Sequence, residues 1–124
     1  MTINEIIELV DHLKPNQFES DIKIRWLSTL DRKAYMEVMQ THEHCHIRHF
    51  KGYTNDDVDT ELLIPEPFAD DIYTAYLMAQ IDRENGEMNK YNQSITRYNS
   101  AYLEWCNYYN RKHRPRPART AFVL

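Results

Sequence analysis

Residues 91–112 read YNQSITRYNSAYLEWCNYYNRK, and the fold turns on how that run is read. Tyr91, Ile95, Tyr98, Tyr102, Trp105 and Tyr109 follow one another at steps of four, three, four, three and four. At about 3.6 residues per turn that is one continuous stripe along a helix, predicted here to span residues 88 to 112. Apolar stripes at helical spacing are usually core. Tyrosine and tryptophan also suit interfaces, since they bury large area with few rotors and keep a polar tip. Tyr91, Tyr98, Tyr102, Trp105, Tyr108 and Tyr109 are therefore candidates for core or subunit interface, and Leu103, Tyr108 and Tyr109, partly off the main line, for contact with a neighbour.

Beyond the stripe the chain becomes basic. Arg111, Lys112, Arg114, Arg116 and Arg119 occur with no acid after residue 110, and the end, TAFVL, is apolar. With 15 Lys and Arg against 19 Asp and Glu overall, the first 110 residues carry 10 basic against 19 acidic groups, or −9. Prolines 115 and 117 favour an extended arm, and Phe122, Val123 and Leu124 have the content of a strand that could add to a partner's sheet edge. The expected organisation is a helical domain over residues 1–112 and an arm over 113–124.

Upstream, Thr2 and Glu5 have the spacing of a capping box, which predicts a helix from there. Ile3, Ile6, Ile7, Val10 and Leu13 give it one apolar face, and Lys14-Pro15 ends it. A second helix is expected from about Phe18 or Ser20 to about Gln40, with Ile22, Trp26, Leu30, Ala34 and Val38 inward and Asp21, Lys23, Arg25, Asp31 and Arg32 in water. Residues 42–66 lose periodicity and read as a long loop, with a short strand at 61–64. Pro67 suits the first turn of a third helix. Phe68, Ile72, Tyr76, Ala79, Tyr73, Leu77 and Ile81 make it the most buried helix, and Asn85-Gly86 stops it. The fold class is all-α.

The composition narrows function. At 124 residues, with 42% hydrophobic and 27% charged residues and two glycines, the chain reads as one helical domain. No run approaches the roughly 20 apolar residues of a membrane span. No basic lead and apolar run open the chain, and two cysteines are too few for a disulfide framework, so a reducing cytoplasm is expected. No nucleophile elbow, phosphate loop or metalloprotease helix occurs, which argues against an enzyme.

Two stretches invite metal. His42, His44, Cys45, His46 and His49 are zinc-ligand types, but structural zinc usually draws paired ligands from two separated stretches. Asn55, Asp57, Asp59 and Glu66 fall at calcium-loop positions, but Thr60 stands where such a loop needs glycine. Neither is adopted, and no cofactor is expected. The seven acids within residues 54–71 read most simply as a solvated run.

The segments NEIIELVDHLKPN, KIRWLSTLD, TELLIPEPFADDIYTAYLMAQID, NGEMNKYN and YNSAYLEWCNYYNRKHRP together resemble the small helical head-tail connector proteins of tailed bacteriophages, also called adaptor or head-completion proteins. The resemblance covers residues 3–115. Its most specific parts are LLIPEPFADDIY and the NGE, YN and YNRKHRP elements. It implies a four-helix connector-type bundle, with the long loop between helices 2 and 3 and the extended C-terminal arm. It implies a structural virion protein without catalysis, made in the host cytoplasm and placed in the neck. There it would form a ring, generally of twelve, under the portal, extend the DNA channel and dock a stopper or tail-completion protein. By analogy the arm, with Arg111, Lys112, Arg114, Arg116, Arg119, Phe122, Val123 and Leu124, would grip the portal. Asp56, Asp57, Asp59 and Glu61 are placed facing the channel, where negative charge would keep passing DNA from sticking; no sequence-specific DNA binding and no membrane contact are implied. The alternative is a small helical nucleic-acid-binding or regulatory protein whose basic arm takes phosphates.

Overall fold

A computed structural model describes residues 1–43, 45, 47 and 49–115. Among the described residues four α-helices carry the fold: α1 (Ile3–Leu13), α2 (Ser20–Ala34), α3 (Phe68–Glu84) and α4 (Met88–Lys112). The described residues contain no strand. Residues 61–64, expected as one, make only an isolated bridge between Glu61 and Thr2, because the amide of Leu62 bonds to Met1 and the next two amides turn inward to side chains.

Helix α1 starts at the capping box. Thr2 Oγ1 accepts from the Glu5 amide at 3.2 Å, and Glu5 Oε1 accepts from the Thr2 amide at 3.0 Å. Two further amides of this first turn, those of Ile3 and Asn4, donate to the carbonyls of Thr60 and Val58. The acidic segment thus lies against the positive end of the α1 dipole, a favourable place for carboxylates. Ile3, Ile6, Ile7 and Val10 are buried as predicted, whereas Leu13 is exposed.

Helix α3 is central, packing on α1, α2 and α4, and more of its side chains are buried than in any other helix. It ends in a Schellman turn: the amide of Gly86, at φ +74°, donates to Arg83, and that of Glu87 to Asp82. The chain reverses there, and α4 runs back antiparallel, with ring contacts Tyr76–Tyr98 at 5.1 Å and Phe68–Tyr108 at 4.9 Å. With 25 residues against 17, α4 is roughly 12 Å longer at 1.5 Å per residue. Its last turn therefore passes the start of α3.

Helix α2 corrects the sequence reading. Ile22 is exposed and Trp26 half-buried, while Lys23 and Asp31, expected in water, are 2% and 0% exposed. A stripe at spacing four turns by about 40° per step around a 3.6-residue helix, so it cannot follow one core face from residue 22 to 38. Both buried charges are partnered across elements. Lys23 pairs with Asp11 of α1. Asp31 accepts from Tyr53 Oη, from Tyr73 Oη at 2.5 Å and from the Leu63 amide at 3.0 Å. Tyr73 Oη in turn accepts from the Ile64 amide at 2.9 Å. This knot fastens residues 53–64 to α2 and α3. Burial pushes the Asp31 carboxyl up, against the three hydrogen bonds that pull it down.

The last turn of the expected second helix is a π-turn, Tyr35–Met39, in which the Gln40 amide reaches the Tyr35 carbonyl at 2.8 Å. Such turns recur at functional sites. Asn55–Asp57 forms a short 3₁₀ turn, closed by Asp57 Oδ2 accepting from the Thr54 amide at 2.7 Å.

Candidate functional site: the root of the basic arm

Where α4 outruns α3, its inner face meets the π-turn and residues 41–43. His42 holds the two together. The ring is 4% exposed; its Nδ1 donates to the Val38 carbonyl at 2.5 Å, and its Nε2 lies 2.7 Å from Asn110 Oδ1. The Asn110 amide can present either its oxygen or its NH₂ to that nitrogen. His42 also meets the Tyr109 ring edge-on at 4.9 Å, and His113 stacks on the same tyrosine at 4.0 Å and 15°.

Beyond the helix the backbone is tied as well. The Glu43 amide donates to the Arg114 carbonyl at 2.8 Å, and His42 and Pro115 form an isolated antiparallel bridge. Residues 114 and 115, just past α4, are thus held against residues 42 and 43. Around this junction Arg111, Lys112 and Arg114 are exposed, with Lys112 Nζ 5.8 Å above the Tyr108 ring. Lysine and arginine at this end also complement the negative pole of α4. The remaining arm candidates, Arg116, Arg119, Phe122, Val123 and Leu124, lie outside the described residues.

Two concavities flank the root. A cleft of about 410 Å³ touches Glu37, Thr41, His42, Cys106, Asn110 and Pro115. An apolar cavity of about 340 Å³ lies on the other side, against Met39, Leu63, Pro65, Trp105 and Tyr109. Burial pushes the Cys106 thiol up, which lowers its thiolate fraction.

The aromatic stripe divides. Tyr98, Tyr102, Trp105 and Tyr109 belong to the core, while Tyr91 and Tyr108 are half-buried and Leu103 is 60% exposed on the outer face. Lys33 Nζ sits 5.7 and 4.9 Å from the Tyr98 and Tyr102 ring centroids. Tyr98 Oη, Tyr102 Oη and Trp105 Nε1 are buried without a hydrogen-bond partner among the described residues.

The other sequence candidates fall elsewhere. Asp56, Asp59 and Glu61 are exposed and Asp57 half-buried, its carboxylate turned back on Thr54. Glu61 Oε2 lies 2.6 Å from the Met1 nitrogen. Of the histidine cluster, His42 is taken up by the clamp, His49 is exposed, and His44 and His46 lie outside the described residues. No three His, Cys, Asp or Glu side chains among the described residues are arranged to hold one ion.

Sequence reasoning missed the clamp. Its signal was the placement of His42 four residues after Val38 at a helix end; the partner, Asn110, is 68 residues away and gives none. No helix among the described residues is long and apolar enough to cross a membrane. Neither a known protein family, nor a curated protein, nor a solved structure matches the chain.

Proposed function

We propose that this chain is a structural component of a tailed-phage neck, a head-tail connector that joins a ring beneath the portal and reaches the portal with its C-terminal arm. The observation that carries the reading is the construction of the arm's root. An arm that must transmit load between two assemblies needs a stiff attachment, and here His42, Asn110, Tyr109 and His113 clamp the end of α4 while the backbone of residue 43 holds that of 114. The cations Arg111, Lys112 and Arg114 are left pointing to solvent around that root.

The all-α architecture and the resemblance over residues 3–115 support the same role. A closed ring needs a heterologous interface, in which one face of each subunit meets a different face of the next. The outer face of α4, with exposed Leu103 and half-buried Tyr108, is one candidate face. The exposed acids Asp56, Asp59 and Glu61 are assigned to the channel wall, where they would repel DNA phosphates.

The test is deletion of residues 114–124, which starts just past His113 and leaves all four helices. The shortened protein is expected to keep its helical circular dichroism and to lose binding to the portal protein of the same phage or prophage. Unchanged portal binding would remove the arm from the account. Loss of binding to random DNA in place of the portal would move the chain to the nucleic-acid-binding class.

A further inference from the structure

A groove on the outer face of α2 has a composition at odds with the rest of the body. Its volume is about 430 Å³, and its walls include Arg25, Ser28, Thr29 and Arg32 on the helix and Lys51 and Gly52 on the facing segment. Among the described residues three cations stand there against one carboxylate, Asp21, in a chain whose net charge is −4. Among the described residues neither the Arg25 guanidinium nor the Lys51 ammonium has a hydrogen-bond, ion-pair or ring partner. Asp21 Oδ1 accepts from the Ile22 amide at 2.9 Å.

The groove is built rather than incidental. Gly52 adopts φ +92°, a conformation that strains any other L residue, and a Cβ there would stand a tight 3.0 Å from Arg32 Nη2 and 3.2 Å from Ser28 Oγ, so glycine suits this close approach to α2. The Tyr53 amide donates to Ser28 Oγ at 2.6 Å, and Arg32 Nη2 donates to the Lys51 carbonyl at 3.4 Å. One residue on, the Tyr53 hydroxyl is fixed to buried Asp31. The backbone of the facing wall is thereby held at three points, which sets where the Lys51 side chain starts.

Two arginines, a lysine and hydroxyls converging on a concave surface are the donor set that recognises phosphate. Guanidinium forks match phosphoryl oxygens in pairs, and lysine adds a point charge. Arg25 and Arg32 are two turns apart, roughly 10 Å along the axis, so their guanidiniums enter the groove from separate positions that an anion longer than a single phosphate can bridge. We infer that this groove is a binding site for a small anion carrying two or more linked phosphoryl groups. The inference is independent of the neck assignment and involves none of the arm residues.

Titration calorimetry on the full chain, with tripolyphosphate as probe and orthophosphate and citrate as comparisons, tests it. The basic arm also attracts anions, so two variants are needed: Arg25→Gln with Lys51→Gln in the groove, and Arg114→Gln with Arg116→Gln and Arg119→Gln in the arm. Arg25 and Lys51 are exposed, and helical circular dichroism verifies the fold. Expected are saturable binding of tripolyphosphate at one site, weaker binding of orthophosphate, and a loss of at least about tenfold, ~1.4 kcal/mol, in the groove variant only. No saturable binding, a loss confined to the arm variant, or citrate binding as tightly as tripolyphosphate would overturn the inference. So would groove-dependent binding of a short oligodeoxynucleotide without binding of tripolyphosphate.

Discussion

Replacing Asp31 separates two opposing effects at one buried carboxylate. Asp31→Ala deprives three donors of their acceptor: Tyr53 Oη, Tyr73 Oη and the Leu63 amide. An orphaned buried donor costs about 1–3 kcal/mol. Tyr53 is half-buried and can turn to water, which leaves two orphans. Relief from burying the carboxylate offsets part of the loss, so the net cost is about 3 kcal/mol. Asp31→Asn keeps the shape and one carbonyl. Its amide can donate to Tyr73 Oη, whose second lone pair already serves Ile64, so one hydroxyl proton is orphaned at about 1–2 kcal/mol. Acidity gives a second signature. Burial raises the folded-state carboxyl above its unfolded value of about 3.9, so the folded protein holds this proton more tightly than the unfolded chain. The contribution from that difference is fully present below the unfolded value and is lost as pH rises through the folded one. The stability gap between wild type and Asp31→Asn should therefore be widest on the acid side and narrow as pH rises above about 4. Urea unfolding followed by the fluorescence of Trp26 and Trp105 and by circular dichroism, at several pH values, measures both. A gap that widens with pH, or an asparagine variant costlier than the alanine one, would mean that Asp31 is not a carboxylate whose burial outweighs its hydrogen bonds.

Other outcomes follow from single contacts. Tyr98→Phe and Tyr102→Phe each remove a buried hydroxyl without a partner, so chemical denaturation should find them neutral or more stable by up to about 1 kcal/mol; a loss of that size would show that the hydroxyls are satisfied. Gly86→Ala meets no atom of the described residues within 4 Å but forces a side chain to φ +74°, which should cost about 1 kcal/mol in the same assay, with unchanged stability counting against the Schellman turn. His42→Ala should leave the helical circular dichroism largely intact while speeding amide hydrogen exchange at residues 43 and 109–114, and unchanged exchange would mean that the clamp does not hold the arm's root.

What was legible in the sequence was what is local in the chain. The capping box at Thr2, the closing turn at Gly86 and the stripe from Tyr98 to Tyr109 each declare themselves within a few residues, and they placed the start of α1, the end of α3 and α4 nearly to the residue, while the second helix, expected to reach about Gln40, ends as α-helix at Ala34. Residues 23 and 31 were assigned to water because periodicity treats every charge as exposed. Their partners, Asp11, Tyr53, Tyr73 and Leu63, come from other elements. The same holds for the arm's root and the groove: Asn110 reaches His42 and Gly52 reaches Arg32 only after the chain has closed. The π-turn gave no local sign.

The neck assignment is tested most directly by the mass, from light scattering after size exclusion, of this protein alone and mixed with the portal protein of the same phage or prophage. A shift is expected to a portal complex carrying one copy of this chain per portal subunit, as matched cyclic symmetry requires. No association across a range of salt concentrations would contradict it.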